Sequence, residues 1–104
     1  MYIYSVKSRV NNEVVSSWES FFLEHHLDDL VKTGCFTHYE FRKLMGDDPM
    51  STYFIADYYF ETMDDLGRYN TTYAKELKHD VVKRFNGKFQ SERSIYQILN
   101  KTSI

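Results

Sequence analysis

The run MSTYFIADYYF at residues 50–60 leaves the rest of the chain little choice of fold. Side chains alternate between the two faces of a strand. Here Tyr53, Ile55 and Tyr59 take one face, and Phe54, Ala56, Tyr58 and Phe60 take the other. Both faces are apolar or aromatic, as in a strand that lies inside a sheet and is covered on each side. A chain of 104 residues makes one domain with a thin core margin. Its own helices can cover one face of such a sheet. The other face then calls for a second subunit.

The remaining segments fit around that strand. Met1 to Val10 alternates, with Tyr2, Tyr4, Val6 and Val10 on one face, and reads as a strand. Asn11 and Asn12 break it, and either can cap the next helix. Glu13 to Lys32 has helical spacing. Val14, Trp18, Phe21, Phe22 and His25 form one stripe, which then shifts to Leu23, Leu27 and Leu30. A straight helix cannot bury both stripes against one surface, so a kink or break is expected near His25–Leu27. Gly34 supplies a left-handed helix end. Phe36 to Met45 reads as a strand with Thr37, Tyr39, Phe41 and Met45 on one face, followed by a turn at Gly46-Asp47-Asp48-Pro49.

Thr62-x-x-Asp65 is a capping-box pattern that opens the second helix. Leu66, Tyr69, Tyr73, Leu77, Val81 and Phe85 carry its apolar stripe, with a weak point at Thr71-Thr72. Asn86-Gly87 ends it, Lys88 to Leu99 is the last strand, and residues 100–104 read as a frayed tail of a single domain spanning 1–104. The order β-α-β-β-α-β is the α+β, ferredoxin-like arrangement. It predicts a four-stranded antiparallel sheet ordered fourth, first, third, second, with both helices on one face. Two such bare sheet faces meeting would give a homodimer of the dimeric α/β-barrel kind.

Composition removes several functions. A net charge of −2 with scattered Lys and Arg offers no footprint for nucleic acid. No apolar run is long enough to span a bilayer, and Met1 to Val10 lacks the basic start and apolar stretch of a signal peptide. Cys35 is the only cysteine, so no intrachain disulfide forms, and a cytoplasmic location is expected. There is no H-E-x-x-H, C-x-x-C, phosphate-loop or dinucleotide pattern, so neither a metal nor a cofactor is expected.

Three stretches carry a family resemblance. They are Met1-Tyr2-Ile3-Tyr4-Ser5-Val6, the passage WESFFLEHHLDDLVKTGCF with Trp18, His26 and Thr33-Gly34-Cys35-Phe36, and Arg84-Phe85-Asn86-Gly87-Lys88-Phe89. In order and spacing the chain resembles a small bacterial family of unknown function in the dimeric α/β-barrel superfamily. That family often has a proline two residues after the histidine, where this chain has Asp28; a second proline is replaced near Lys75. The resemblance implies the fold and a dimer, and it implies no activity. The superfamily includes cofactor-free monooxygenases and haem-degrading enzymes, but a shared fold does not transfer a reaction.

The candidate site is a pocket where the first helix departs from the sheet, between Trp18, Phe22 and His25 or His26 on the helix, Tyr2 or Tyr4 on the first strand, and Tyr58 or Asp57 on the third. His25 falls on the core stripe and His26 on its edge; adjacent on a helix, their side chains diverge by about 100° and make poor joint metal ligands. Either is a core-edge imidazole or a ligand-binding group. Asp57, mid-strand, needs a partner, and Lys7, Arg9, Arg42 and Arg93 lie on other strands that could supply one. An ion pair is the plainer reading, and a pocket acid the sharper one. His38 and His79 read as surface residues, Cys35 as a buried small hydrophobe, and Gly67 has only close packing to explain it. Three functions are compatible with this pattern. The protein binds a small aromatic or apolar molecule, acts as a cofactor-independent oxygenase-like or isomerase-like enzyme, or is a structural or regulatory dimer with no ligand.

Overall fold

A computed structural model describes residues 1–46 and 48–102. Strand β1 (Tyr2–Asn11) leads through a short 3₁₀ turn at Asn12–Val14 into helix α1 (Val15–Phe21), a π turn (Phe22–His26) and helix α2 (Leu27–Lys32). Strands β2 (His38–Lys43) and β3 (Ser51–Phe60) come next, then helices α3 (Met63–Thr72) and α4 (Ala74–Phe85), and strand β4 (Phe89–Gln97). The four strands form one antiparallel sheet ordered β2-β3-β1-β4, the arrangement expected from the element order. Residues 100–102 carry no regular structure; Asp47 of the expected turn and the last two residues of the expected tail lie outside the described residues.

Local chemistry explains the boundaries. Of the two candidate caps, Asn11 acts, its side chain accepting from the Glu13 N–H at 3.0 Å. Gly34 and Gly87 close the two helical arms with φ of +80° and +77°, a region where side chains are strained. Thr62 and Asp65 form the full capping box. The second arm breaks at Tyr73, one residue beyond the expected weak point. There the Thr71 hydroxyl donates back to the carbonyls of Gly67 and Arg68, a bond that competes with the helix ladder.

The first arm bends by a different device from a proline kink. The Leu27 N–H bonds to the Phe22 carbonyl, five residues back, so the π turn inserts one residue into the helix. The stripe therefore moves from Trp18 and Phe22 to His26, Leu27 and Leu30 while facing the same sheet. Two expectations change. Leu23 is 59% exposed instead of sharing a face with Leu27, and the burial of the two histidines is reversed, His26 inside at 8% exposure and His25 outside.

The helix-side face of the sheet carries Tyr4, Tyr58, Phe54 and Phe60, which join Trp18, Phe22 and Tyr69 in one aromatic core. Tyr53, Ile55 and Tyr59 take the open face, where they are partly exposed. That face is more polar than β3 alone implies. Registration sets Ile55 between Lys7 and Arg42, and Asp57 between Ser5 and Glu40.

Candidate functional site

A cavity of about 320 Å³ opens between the helical arms and the β1–β4 half of the sheet. The π turn helps make room for it, because it widens the first arm where Phe22 and His26 meet the sheet. Trp18, Phe22, His26 and Leu30 line it from that arm, Tyr4 and Tyr58 from the central strands, and Tyr69, Lys78 and Val81 from the second arm. Strand β4 contributes Phe89, Ser91 and Arg93. Beyond them the helices no longer cover β4: Ile95, on the same face, is 51% exposed. The volume is at the low end of the ~300–1,000 Å³ usual for small-molecule sites.

The walls are aromatic and closely arranged. Trp18 stacks on Phe22 with ring centroids 4.6 Å apart, and Phe89 leans on the indole at 5.0 Å. The His26 ring lies 4.7 Å from Phe22 and 5.6 Å from Phe21. This apolar surround lowers the His26 pKa to about 4, with Arg93 adding to the shift and Asp80 opposing it, so the ring is neutral at pH 7. Two buried polar atoms here, His26 Nδ1 and Trp18 Nε1, have no hydrogen-bond partner among the described residues. Buried polar groups are nearly always paired, so each such atom needs an explanation.

Arg93 supplies the polar end. Its Nε donates to the Tyr4 hydroxyl at 3.0 Å from the neighbouring strand. Burial raises the Tyr4 pKa, against the lowering effect of Arg93, so the phenol stays protonated and keeps its own hydrogen to donate. Burial likewise raises Tyr58 and Tyr69. The Ser8 and Ser91 hydroxyls pair with each other at 2.7 Å.

Of the eight residues weighed for the site, Tyr4, Trp18, Phe22, His26 and Tyr58 come together at this cavity. The other three do not. Tyr2 stacks on Phe60 with ring centroids 5.3 Å apart and does not line it. His25 is exposed and lines a separate depression with Phe21, Asp80 and Arg84. Asp57 faces the opposite side of the sheet, where it is 6% exposed and accepts from Arg42 Nη2 at 2.7 Å. The plainer reading of Asp57, an ion pair, is what the structure contains, with Arg42 as the partner among the four cations considered. Cys35 is buried at 2% exposure, and His38 and His79 are exposed.

Sequence reasoning considered Arg93 only as a partner for Asp57 and missed Lys78 and Tyr69. Period-two spacing from Phe89 through Ser91 does place Arg93 on the helix-side face, away from Asp57. Lys78 stands one turn before Val81 and Val82, a signal that solvated lysines also give. Among the described residues no group of three or more His, Cys, Asp or Glu is placed to hold a metal ion, and no helix is long and apolar enough to cross a membrane.

These features define a ferredoxin-like α+β domain with a cleft between its helices and an antiparallel sheet. The chain belongs to the family described as a domain of unknown function, DUF4286, whose model matches residues 1–99. No curated protein matches its sequence. Its fold is similar to that of a dimeric ferredoxin-like protein from an uncultured marine organism, with a TM-score of 0.72 at 12% identity over 100% of both chains. An ethyl tert-butyl ether d family protein from Bacillus halodurans gives 0.70 at 13%, covering 95% of this chain and 100% of that one. A variant of SnoaB, a cofactor-independent oxygenase from Streptomyces nogalater, gives 0.63 at 16%, covering 96% and 95%. At these identities the likeness is one of fold.

Proposed function

We propose that this protein binds a compact aromatic or apolar molecule in the cavity between its helices and sheet, and that it does so as a homodimer. The observation that carries the reading is an open cavity of about 320 Å³ walled by Trp18, Phe22, Tyr4 and Phe89. A domain with a purely structural role has no need to leave its helix–sheet seam open. Binding is favoured over acid–base catalysis because burial makes His26 a weak base, with a pKa of about 4. The dimer reading draws on the partly exposed Tyr53, Ile55 and Tyr59 of the open sheet face and on the dimeric assembly of one fold relative. The buried free thiol of Cys35 suits a reducing compartment, and a cytoplasmic location follows from that reading.

Trp18 is the only tryptophan, so its indole N–H gives a single resonance that reports on the cavity. A screen of small aromatic compounds should yield members that shift this resonance and raise the melting temperature. His26→Ala should then weaken binding of such a compound much more than it lowers stability. Equal loss of both would make His26 a structural residue, and a screen in which no compound moves the resonance would overturn the binding reading.

A further inference from the structure

The charges at the cavity are of one sign. Arg93 and Lys78 both line it, and no Asp or Glu among the described residues does. This is not a reflection of composition, since acids outnumber bases in the chain, 15 to 13. The two cations come from different elements, β4 and α4, and face a common space. Lys78 already feels that neighbour: its pKa is lowered, by burial first and by Arg93 second. Two like charges line one cavity with no acid among its lining residues, so an anion there meets a favourable potential, screened at Arg93, which is exposed.

The phenol beside Arg93 agrees. Tyr4 uses its oxygen to accept from Arg93, which leaves its O–H as a donor. The polar side of the cavity thus carries the donors of Arg93, Lys78 and Tyr4, while Trp18, Phe22 and Phe89 form an apolar wall. A guanidinium beside a phenol is suited to planar oxyanions, which accept charge-assisted hydrogen bonds.

We infer that the ligand of this cavity is an aromatic or apolar acid, its ring against Trp18 and Phe22 and its carboxylate or equivalent oxyanion held by Arg93, Lys78 and the Tyr4 hydroxyl. This rests on the binding role proposed above and specifies the class of molecule bound.

The test compares head groups on fixed frames. 3-Phenylpropionate and 2-naphthylacetate, with the neutral amide and the primary amine corresponding to each, are titrated against the full chain while the Trp18 indole resonance is followed. The acids should bind about tenfold or more tighter than their amides, a difference of the size expected for a partly desolvated ion pair, and the amines weakest. Lys78→Gln should reduce the acid preference severalfold, and Lys78→Gln with Arg93→Gln should abolish it; since Arg93 also holds Tyr4, the single Lys78 variant keeps the test valid if the double variant does not fold. Amides or amines binding as tightly as acids, or an acid preference that survives the Lys78 substitution unchanged, would overturn this inference and leave the cavity's binding role standing. If none of the six compounds moves the resonance while members of the wider screen do, this inference fails; if the screen also yields none, the binding role itself fails.

Discussion

Phe22 and Leu27 are five residues apart, yet both lie on the buried side of the first helix, because the Leu27 N–H is bonded to the Phe22 carbonyl. In an uninterrupted α-helix the i+4 neighbour of Phe22 would continue the stripe, and Leu27 would share a face with Leu23. The added residue separates them. Leu27 is 0% exposed and Leu23 59%. Leu27→Ala should therefore cost about 2–5 kcal/mol, and Leu23→Ala within about 0.5 kcal/mol, in urea unfolding at equal slope. Similar costs for the two would mean that the helix keeps α-helical phase.

The histidine inside that turn gives stability a pH dependence with a definite sign. The His26 pKa is lowered to about 4 in the folded protein, from an ordinary 6.5. As pH falls, the unfolded chain takes up the proton first. The loss begins near pH 6.5, grows until pH reaches about 4, and then stops growing. Its full size is on the order of 3 kcal/mol. Carboxylates titrate in part of the same window, so the comparison is between the native chain and His26→Gln. The native chain should lose more stability between pH 7 and pH 4.5, by about 2–3 kcal/mol. Parallel losses in the two proteins would show that His26 is not held neutral by burial.

The sequence made the sheet legible because strand periodicity survives from one end of an element to the other. MSTYFIADYYF keeps its two faces throughout, and β3 sits centrally between β1 and β2. The first helix was legible only up to the π turn. An inserted residue leaves a break in periodicity, which Trp18, Phe22, Leu27 and Leu30 record, but periodicity does not tell whether the chain kinks or changes its turn. The choice between His25 and His26 depended on that difference. The aromatic half of the cavity could be read from core patterning, whereas Arg93 and Lys78 owe their place to the pairing of β4 with β1 and to the packing of α4. Asp57 was read correctly as needing a cation, but the face it takes is fixed by registration with Glu40 and Ser5.

Asp57 also gives a test of that ion pair. Its Oδ2 accepts from Arg42, while Oδ1 is buried without a partner among the described residues. Arg42→Ala would leave the carboxylate on the sheet without its cation. In the single chain Arg42 is 44% exposed, so water screens the pair and the cost there should be about 1–2 kcal/mol, rising where a partner's sheet covers it. Adding Asp57→Asn to that variant should recover part of the loss in a double-mutant cycle. Additive costs would remove the coupling between the two residues.

Gly67 reverses an expectation. Inside a predicted helix it had only close packing to justify it, but an added Cβ there meets nothing within 4 Å, and the residue is exposed within α3. Gly67→Ala should stabilise the protein by about 0.5–1 kcal/mol through helix propensity. Thermal unfolding checks it, and a lower melting temperature would show that the site needs the freedom of glycine.

The open face of the sheet is where the proposed dimer can be tested. On it, Ile55 and Tyr59 are partly exposed, and Tyr59 stacks on His38 with ring centroids 4.2 Å apart. Light scattering at about 50 µM, well above a micromolar Kd, should give twice the mass of one chain. Registration places Ile55 between Lys7 and Arg42, so Ile55→Lys brings a third cation into that row. In the monomer water screens this, and the cost should stay under about 1 kcal/mol. Against a partner's sheet the same charge is buried beside the other cations of its row, which costs several times more. The variant should therefore run as a folded monomer, its Trp18 indole resonance still dispersed. A native chain of monomer mass would end the dimer proposal outright. An Ile55→Lys variant that stays dimeric would move the interface off this face of the sheet.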